Sequence, residues 1–190
     1  MQEQDLLPDR APSTADQMPT DEMPMDEMPM DLGDWRGETI ELPPGFAPGL
    51  PAGREVLLFA PGMFEPEAED FWSYAFLMEI EETGVGVDRL EELFELYYDG
   101  LIGAVGRGNS FELPEDPASV SFREEGAGFG GVVHTFDAFQ TGEAIEVNLF
   151  VEVTESTMGK SRLRVQASPQ ERDQHPVWKA LGEAMDSLTF

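Results

Sequence analysis

The sequence predicts an α+β fold: an antiparallel sheet of about six to seven strands with two packed helices, in the order β-β-β-α-β-β-β-β-α. Three observations predict it. Short apolar runs alternate with period two, and turn residues such as Pro-Gly and clustered glycines bound them. Two segments change to helical spacing. The strands fall into a run of three and a run of four, with one helix between them and one after.

The first strand lies in "GETIEL", which begins at Gly37 and runs into a loop stiffened by Pro43, Pro44, Pro48 and Pro51. "REVLLFAPGMF" (Arg54–Phe64) reads as a buried strand ending in a Pro-Gly turn. In "FWSYAFLMEIEE" (Phe71–Glu82), Trp72, Tyr74, Phe76, Met78 and Ile80 share one face, as a core strand requires. "GVGVDRLEELFELYYDGLIGAVG" then changes period. Asp88 followed by Glu91 suggests a capping box. Leu90, Phe94, Tyr97, Leu101 and Val105 make the apolar stripe, with Glu91, Glu92 and Glu95 off it. Gly100 and Gly103 weaken such a helix, so they are expected to permit close packing on the sheet.

Four strands follow in "SVSFREE", "GGVVHTFDAF", "AIEVNLFVEV" and "SRLRVQA". The last two are expected to form a hairpin across "TESTMGKS", placing Glu146 and Glu152 beside an outer face that carries Arg162 and Arg164. "HPVWKALGEAMDSL" closes the fold as a helix, with Pro176 in its first turn and Trp178, Leu181, Met185 and Leu188 on its buried stripe.

These elements occupy residues 35–190, one domain. Residues 1–34 are rich in Asp, Glu, Pro, Gln and Met and lack any amphipathic period, so a disordered acidic leader is expected. The chain of 190 residues has 41% hydrophobic residues, enough for a core, and a formal net charge of −28. Ten acids and one Arg lie in residues 1–34, so the folded part is itself acidic. Such a field repels phosphate backbones and excludes nucleic acid as a natural partner. There is no Cys, hence neither disulfide nor thiol chemistry, and no apolar run long enough to span a membrane. The given chain shows no signal-peptide core, yet a polar, proline-rich leader often follows a trimmed export signal. A periplasmic or secreted location is the expectation, and a cytoplasmic one is compatible. Few Lys among many acids would also suit a high-salt environment.

The segments "FAPGMFEPEAEDFWSYAF", "YYDGLIGAV" and "HPVWKALGEAMDSL", together with an ending on Ser187 and Phe190, resemble the MOG1/PsbP-like fold and a family of uncharacterised bacterial exported proteins. The shared residues are aromatics and glycines in core positions. The resemblance implies an accessory or assembly role and brings no catalytic residue with it.

Candidate chemistry is sparse. Met18, Met23, Met25, Met28 and Met30 stand in "DEMPMDEMPM" and its flank. Thioethers suit Cu(I), so a copper-handling leader is one reading. A solvated tether made by repeat slippage is the preferred one, because no His or Cys accompanies the methionines. His134 sits mid-strand, the place of a structural histidine. His175 precedes Pro176, where it would cap the helix. Their separation suggests no zinc site. A hydrolase is the least supported class. No G-x-S-x-G is present, Ser73, Ser110 and Ser121 have no neighbouring histidine, and 39 acids will always supply a carboxylate pair. "GAVGRGN" ends a helix, which points its amides the wrong way for a phosphate, and "GAGFGG" reads as a hairpin loop or bulge.

The aromatics are expected to fill a core. Because Tyr97 and Tyr98 are adjacent, only one should face the sheet, leaving the other, with Trp72, as the candidate rim of a ligand or partner surface. The function expected is a non-catalytic exported accessory or binding protein that meets a protein partner or a small apolar ligand. The alternative is a periplasmic metal-handling protein.

Overall fold

Period-two alternation becomes a single antiparallel sheet in the computed structural model, which describes residues 33–156 and 158–190. The strands are β1 (Arg36–Leu42), β2 (Gly53–Phe59), β3 (Tyr74–Ile80), β4 (Ser119–Glu125), β5 (Gly128–Phe136), β6 (Ala144–Ser156) and β7 (Lys160–Ser168). The helices are α1 (Val87–Gly108) and α2 (Val177–Ser187). The fold is therefore α+β, with all seven expected strands in the expected order. Sheet order is β1-β2-β3-β7-β6-β5-β4. A three-strand meander and a four-strand meander thus join where β3 pairs with β7, Phe76 opposite Val165 and Met78 opposite Leu163. Helix α1 carries the chain from β3 in the middle to β4 at the far edge.

Each sheet face has its own apolar core. Tyr74, Phe76, Met78 and Ile80 of β3 join Val147, Leu149 and Val151 of β6 beneath Leu90, Leu93, Phe94, Tyr97, Tyr98 and Ile102 of α1. On the opposite face, Val56, Leu58, Ala75 and Leu77 meet Val177, Leu181, Ala184 and Met185 of α2. The expected β6–β7 hairpin is present, and Glu152 stands opposite Arg164 with its carboxylate 3.4 Å from Nε.

Local details depart from expectation in three places. Helix α1 begins two residues earlier than the capping box implied. Gly86 is its N-cap, no side chain caps it, and Asp88 lies inside the first turn. Arg89 instead ties the start down through two hydrogen bonds to Glu82, at 2.6 and 2.8 Å. The buried stripe of α1 is wider than read, taking in Leu93, Tyr98, Ile102 and Gly106 and leaving Leu101 and Val105 half-buried. The cause is packing beyond the sheet, with Leu113 and Ala138 against Gly106 and a loop against Tyr97. The Pro-rich loop between β1 and β2 lies along the helix, with Phe46 edge-on to Tyr97 at 5.5 Å.

Gly100 packs on that loop and not on the sheet, since a Cβ there would lie 2.2 Å from the Phe46 carbonyl oxygen. Gly103 would meet only the Arg107 guanidinium, at 3.3 Å. At the start of α2, Pro176 stands just before the first turn, as the N-cap, and His175 Nδ1 accepts the Val177 N–H at 3.2 Å, the capping expected of it.

The two helix glycines should respond oppositely to alanine. Gly103→Ala is expected to stabilise by about 0.5–1 kcal/mol, the usual helix gain. Gly100→Ala should destabilise by about 1–3 kcal/mol, because backbone cannot retreat as a side chain can. Urea midpoints of the two variants check this, and equal shifts of one sign would contradict it.

Candidate functional site

Two places in the structure combine burial, strain or unpaired polarity in a way that simple core packing does not need.

The first lies at the end of the sheet where β2 hands over to β3. The connecting loop, residues 60–73, closes on itself: Gly62 N–H donates to Asp70 Oδ2 at 3.0 Å, and Trp72 N–H donates to the Met63 carbonyl at 3.1 Å. Trp72 then adopts a left-handed backbone conformation, φ +52°, which costs a non-glycine residue about 1–2 kcal/mol. Its side chain is fully buried, and the indole N–H donates to Asp137 Oδ1 at 3.0 Å.

Asp137 is a knot for the β5–β6 loop as well. It accepts from the amides of Phe139, Gln140 and Thr141 and from the Thr141 hydroxyl. Burial opposes ionisation of this carboxyl, but the donors from Trp72, Thr141 and Gln140 outweigh it and hold it below the usual carboxylate range.

Around this knot five aromatic rings close a circuit. Phe59 meets Phe64 at 5.7 Å, Phe64 meets Phe139 at 5.4 Å, Phe139 meets Trp72 at 5.6 Å, and Tyr74 lies 6.5 Å from both Trp72 and Phe59. Trp72 and Tyr74 are buried, whereas Phe59, Phe64 and Phe139 remain partly exposed. The exposed Arg36 guanidinium lies 5.9 Å from the Phe59 ring centre and 5.4 Å from that of Phe64.

The second place is Glu55 on β2. Its side chain is fully buried on the α1 face, in register with Ile40 and Met78. Oε1 accepts the Tyr97 hydroxyl at 3.1 Å, and among the described residues no group bonds Oε2. Burial pushes the carboxyl up to about 8; the Tyr97 hydrogen bond opposes that rise and the neighbouring Glu38 adds to it. Glu55 is therefore a neutral acid at pH 7. Beside it the hydroxyls of Tyr74 and Tyr98 share a short hydrogen bond, and burial raises both phenols above their ordinary value. Phe76, Met78, Leu93, Phe94 and Tyr97 line a void of about 10 Å³ between α1 and the sheet, the room of one water at most.

The residues singled out from the sequence are redistributed. Neither Tyr97 nor Tyr98 stands at a rim, because the sheet and the Pro-rich loop bury α1 from two sides. Trp72 is interior too and supports the surface that Phe64 and Phe139 form. Met18, Met23, Met25, Met28 and Met30 lie outside the described residues. His134 is exposed on β5, with Nδ1 3.3 Å from Glu146 Oε2 on the next strand. Ser119 stands opposite it on β4, also exposed, and no hydrogen bond links that hydroxyl to the ring. Such a row arises wherever outward positions of three adjacent strands are polar. Among the described residues, no group of three or more His, Asp or Glu is placed to hold a metal ion, and no helix is long and apolar enough to cross a membrane.

Glu55 and Asp137 were missed in the sequence. Asp137 had a signal, an Asp opening the polar turn "DAFQTG", where such a side chain captures following amides. Comparison with protein-family models, with characterised proteins and with solved structures finds no match to this chain.

Glu55 gives a pH signature. Between the ordinary carboxylate range and about pH 8, the folded protein keeps a proton that the unfolded chain has released. Stability therefore falls as pH rises through that window. Glu55→Gln keeps the shape and the Tyr97 contact while removing the titration. It should match the parent near pH 4 and exceed it by a few kcal/mol at pH 9, since each tenfold change in proton affinity is worth about 1.4 kcal/mol. Parallel stability curves for parent and variant would refute the assignment.

Proposed function

We propose that the protein is a non-catalytic binding or accessory protein that meets a protein partner through the partly exposed phenylalanines Phe59, Phe64 and Phe139. The observation that carries this reading is the aromatic circuit mounted on a strained Trp72. Backbone strain that the surroundings over-determine concentrates at functional surfaces. The indole–Asp137 bond holds two separate loops so that their Phe side chains stand together. Aromatic rings beside an arginine are the residue types that dominate binding energy at protein interfaces.

The arrangement suits a partner that inserts an apolar side chain among the rings and sets a polar rim against the acids of the 60–73 loop. Glu65, Glu67 and Glu69 of that loop are exposed and favour a partner with basic residues at its margin. The MOG1/PsbP-like resemblance agrees with an accessory role, and the polar, proline-rich leader agrees with export.

The test is quantitative binding of whatever purified partner the full chain captures from its native extract. Phe64→Ser combined with Phe139→Ser should weaken that interaction by at least about 30-fold, the scale of a 2 kcal/mol hot spot, while the thermal transition stays cooperative. Retained affinity in a folded double variant would sink the reading. Tyr97→Phe, an interior change on the same sheet face but outside the ring circuit, should leave binding unaltered.

A further inference from the structure

β4 is an edge strand. Alternate amides of such a strand point away from the sheet and form a template for another chain. In this protein three of them are taken by one helix. Asp99 Oδ1 accepts the Ala118 N–H at 2.8 Å, Glu95 Oε1 the Val120 N–H at 3.4 Å, and Glu91 Oε1 the Phe122 N–H at 2.8 Å. The helix numbers rise as the strand numbers fall, so the two elements run antiparallel.

The spacing explains how one ladder fits the other. Residues four apart on a helix are separated by about 6.0 Å along its axis. Alternate residues of a strand are separated by about 6.8 Å. One carboxylate therefore meets each of three successive outward amides. The apolar side of α1 already packs on the sheet through Leu90, Phe94 and Tyr98, so the acids act in addition to that packing. A carboxylate accepts without donating. The lock thus occupies the strand's amides and offers no donor for a further strand to copy.

We infer that Glu91, Glu95 and Asp99 form a lock on the β4 edge, and that the strand they exclude is β4 of a second copy. The self-complementarity of the edge argues for that occupant. In an antiparallel edge, a residue whose N–H points outward also turns its C=O outward. Ala118, Val120 and Phe122 therefore present a pattern that a twofold-related copy can pair with directly. Residues 118–122, "ASVSF", carry no charge and include good strand formers. The acids of the lock also place like charges on both approaching edges.

The experiment uses the full chain and replaces all three acceptors, Glu91→Ala, Glu95→Ala and Asp99→Ala. Light scattering should show the parent as a monomer. The variant's mass should double at the same concentration, and the Ala118, Val120 and Phe122 amides should exchange more slowly than in the parent. A folded variant that stays monomeric overturns the inference. So does association that leaves those amides exposed, or a parent already paired through β4. Should the triple variant not fold, Glu95→Ala alone serves: stronger association than the parent with the same amides protected supports the lock, and a parent-like mass overturns it. A third protein, Glu91→Gln, Glu95→Gln and Asp99→Asn, keeps acceptor oxygens without charge and should remain monomeric. If it associates as strongly as the alanine variant, charge alone guards the edge and the lock is disproved.

Discussion

Burial of β3 on both faces is the constraint from which the other elements take their places. A strand with Tyr74, Phe76, Met78 and Ile80 on one side and Ala75 and Leu77 on the other cannot lie against water on either face, except where Glu79 ends the second side. Both faces must be roofed, and both ladders must be filled. β2 and β7 fill the ladders; α1 and α2 roof the faces. The β3–β7 pairing also forces the four-strand meander to run outward from the centre, which makes β4 an edge. Helix α1, 22 residues long, runs antiparallel to β4 and returns the chain to the start of that edge strand.

The same roof creates a costly polar group in the interior. Glu55 sits under α1 because β2 must place Leu57 and Phe59 on that face, and alternation carries residue 55 with them. A charged carboxylate there would face Tyr97, Tyr98, Tyr74 and Glu38 and no cation. Neutralisation is the cheapest state. The acid can then pair with the Tyr97 hydroxyl, but a Gln or a Met of similar volume would avoid the titration altogether. Glu55 therefore limits stability at alkaline pH while fixing where Tyr97 sits between Phe46 and Phe76, rings that contact it edge-on and stacked.

The alternation of Ile145, Val147, Leu149, Val151 and Val153 fixed β6 without ambiguity, since period two leaves only the choice of face. The helices were legible for the same reason at period 3.6. What could not be read was which face meets which wall. Tyr97 and Tyr98 looked mutually exclusive because a helix on a flat sheet buries one stripe. The Pro-rich loop supplies a second wall, and nothing in "PPGFAPGLPAG" says that it folds back along α1. Glu55 stands beside Arg54 at the start of "REVLLF", and nothing local marks it as a buried acid. Glu91 and Glu95 read only as lying off the apolar stripe, because a polar stripe looks alike whether it faces water or the amides of an edge strand. His175 was legible because its partner is two residues away; contacts across 20 to 65 residues leave no local trace.

Trp72 shows how far residue type can constrain a site beyond packing. Its left-handed backbone alone would favour glycine. Glycine would relieve that strain but remove the ring that contacts Phe139 and Tyr74, and the N–H that Asp137 accepts. Phenylalanine would keep a ring and lose the donor. Asp137 would then still hold the amides of its own loop, since those bonds are local, but the 60–73 loop would be free to slide relative to it. Tryptophan satisfies the two demands together. The strain is therefore retained for the relative placement of the two loops, and that placement is what brings Phe64 and Phe139 within 5.4 Å of each other at the protein surface.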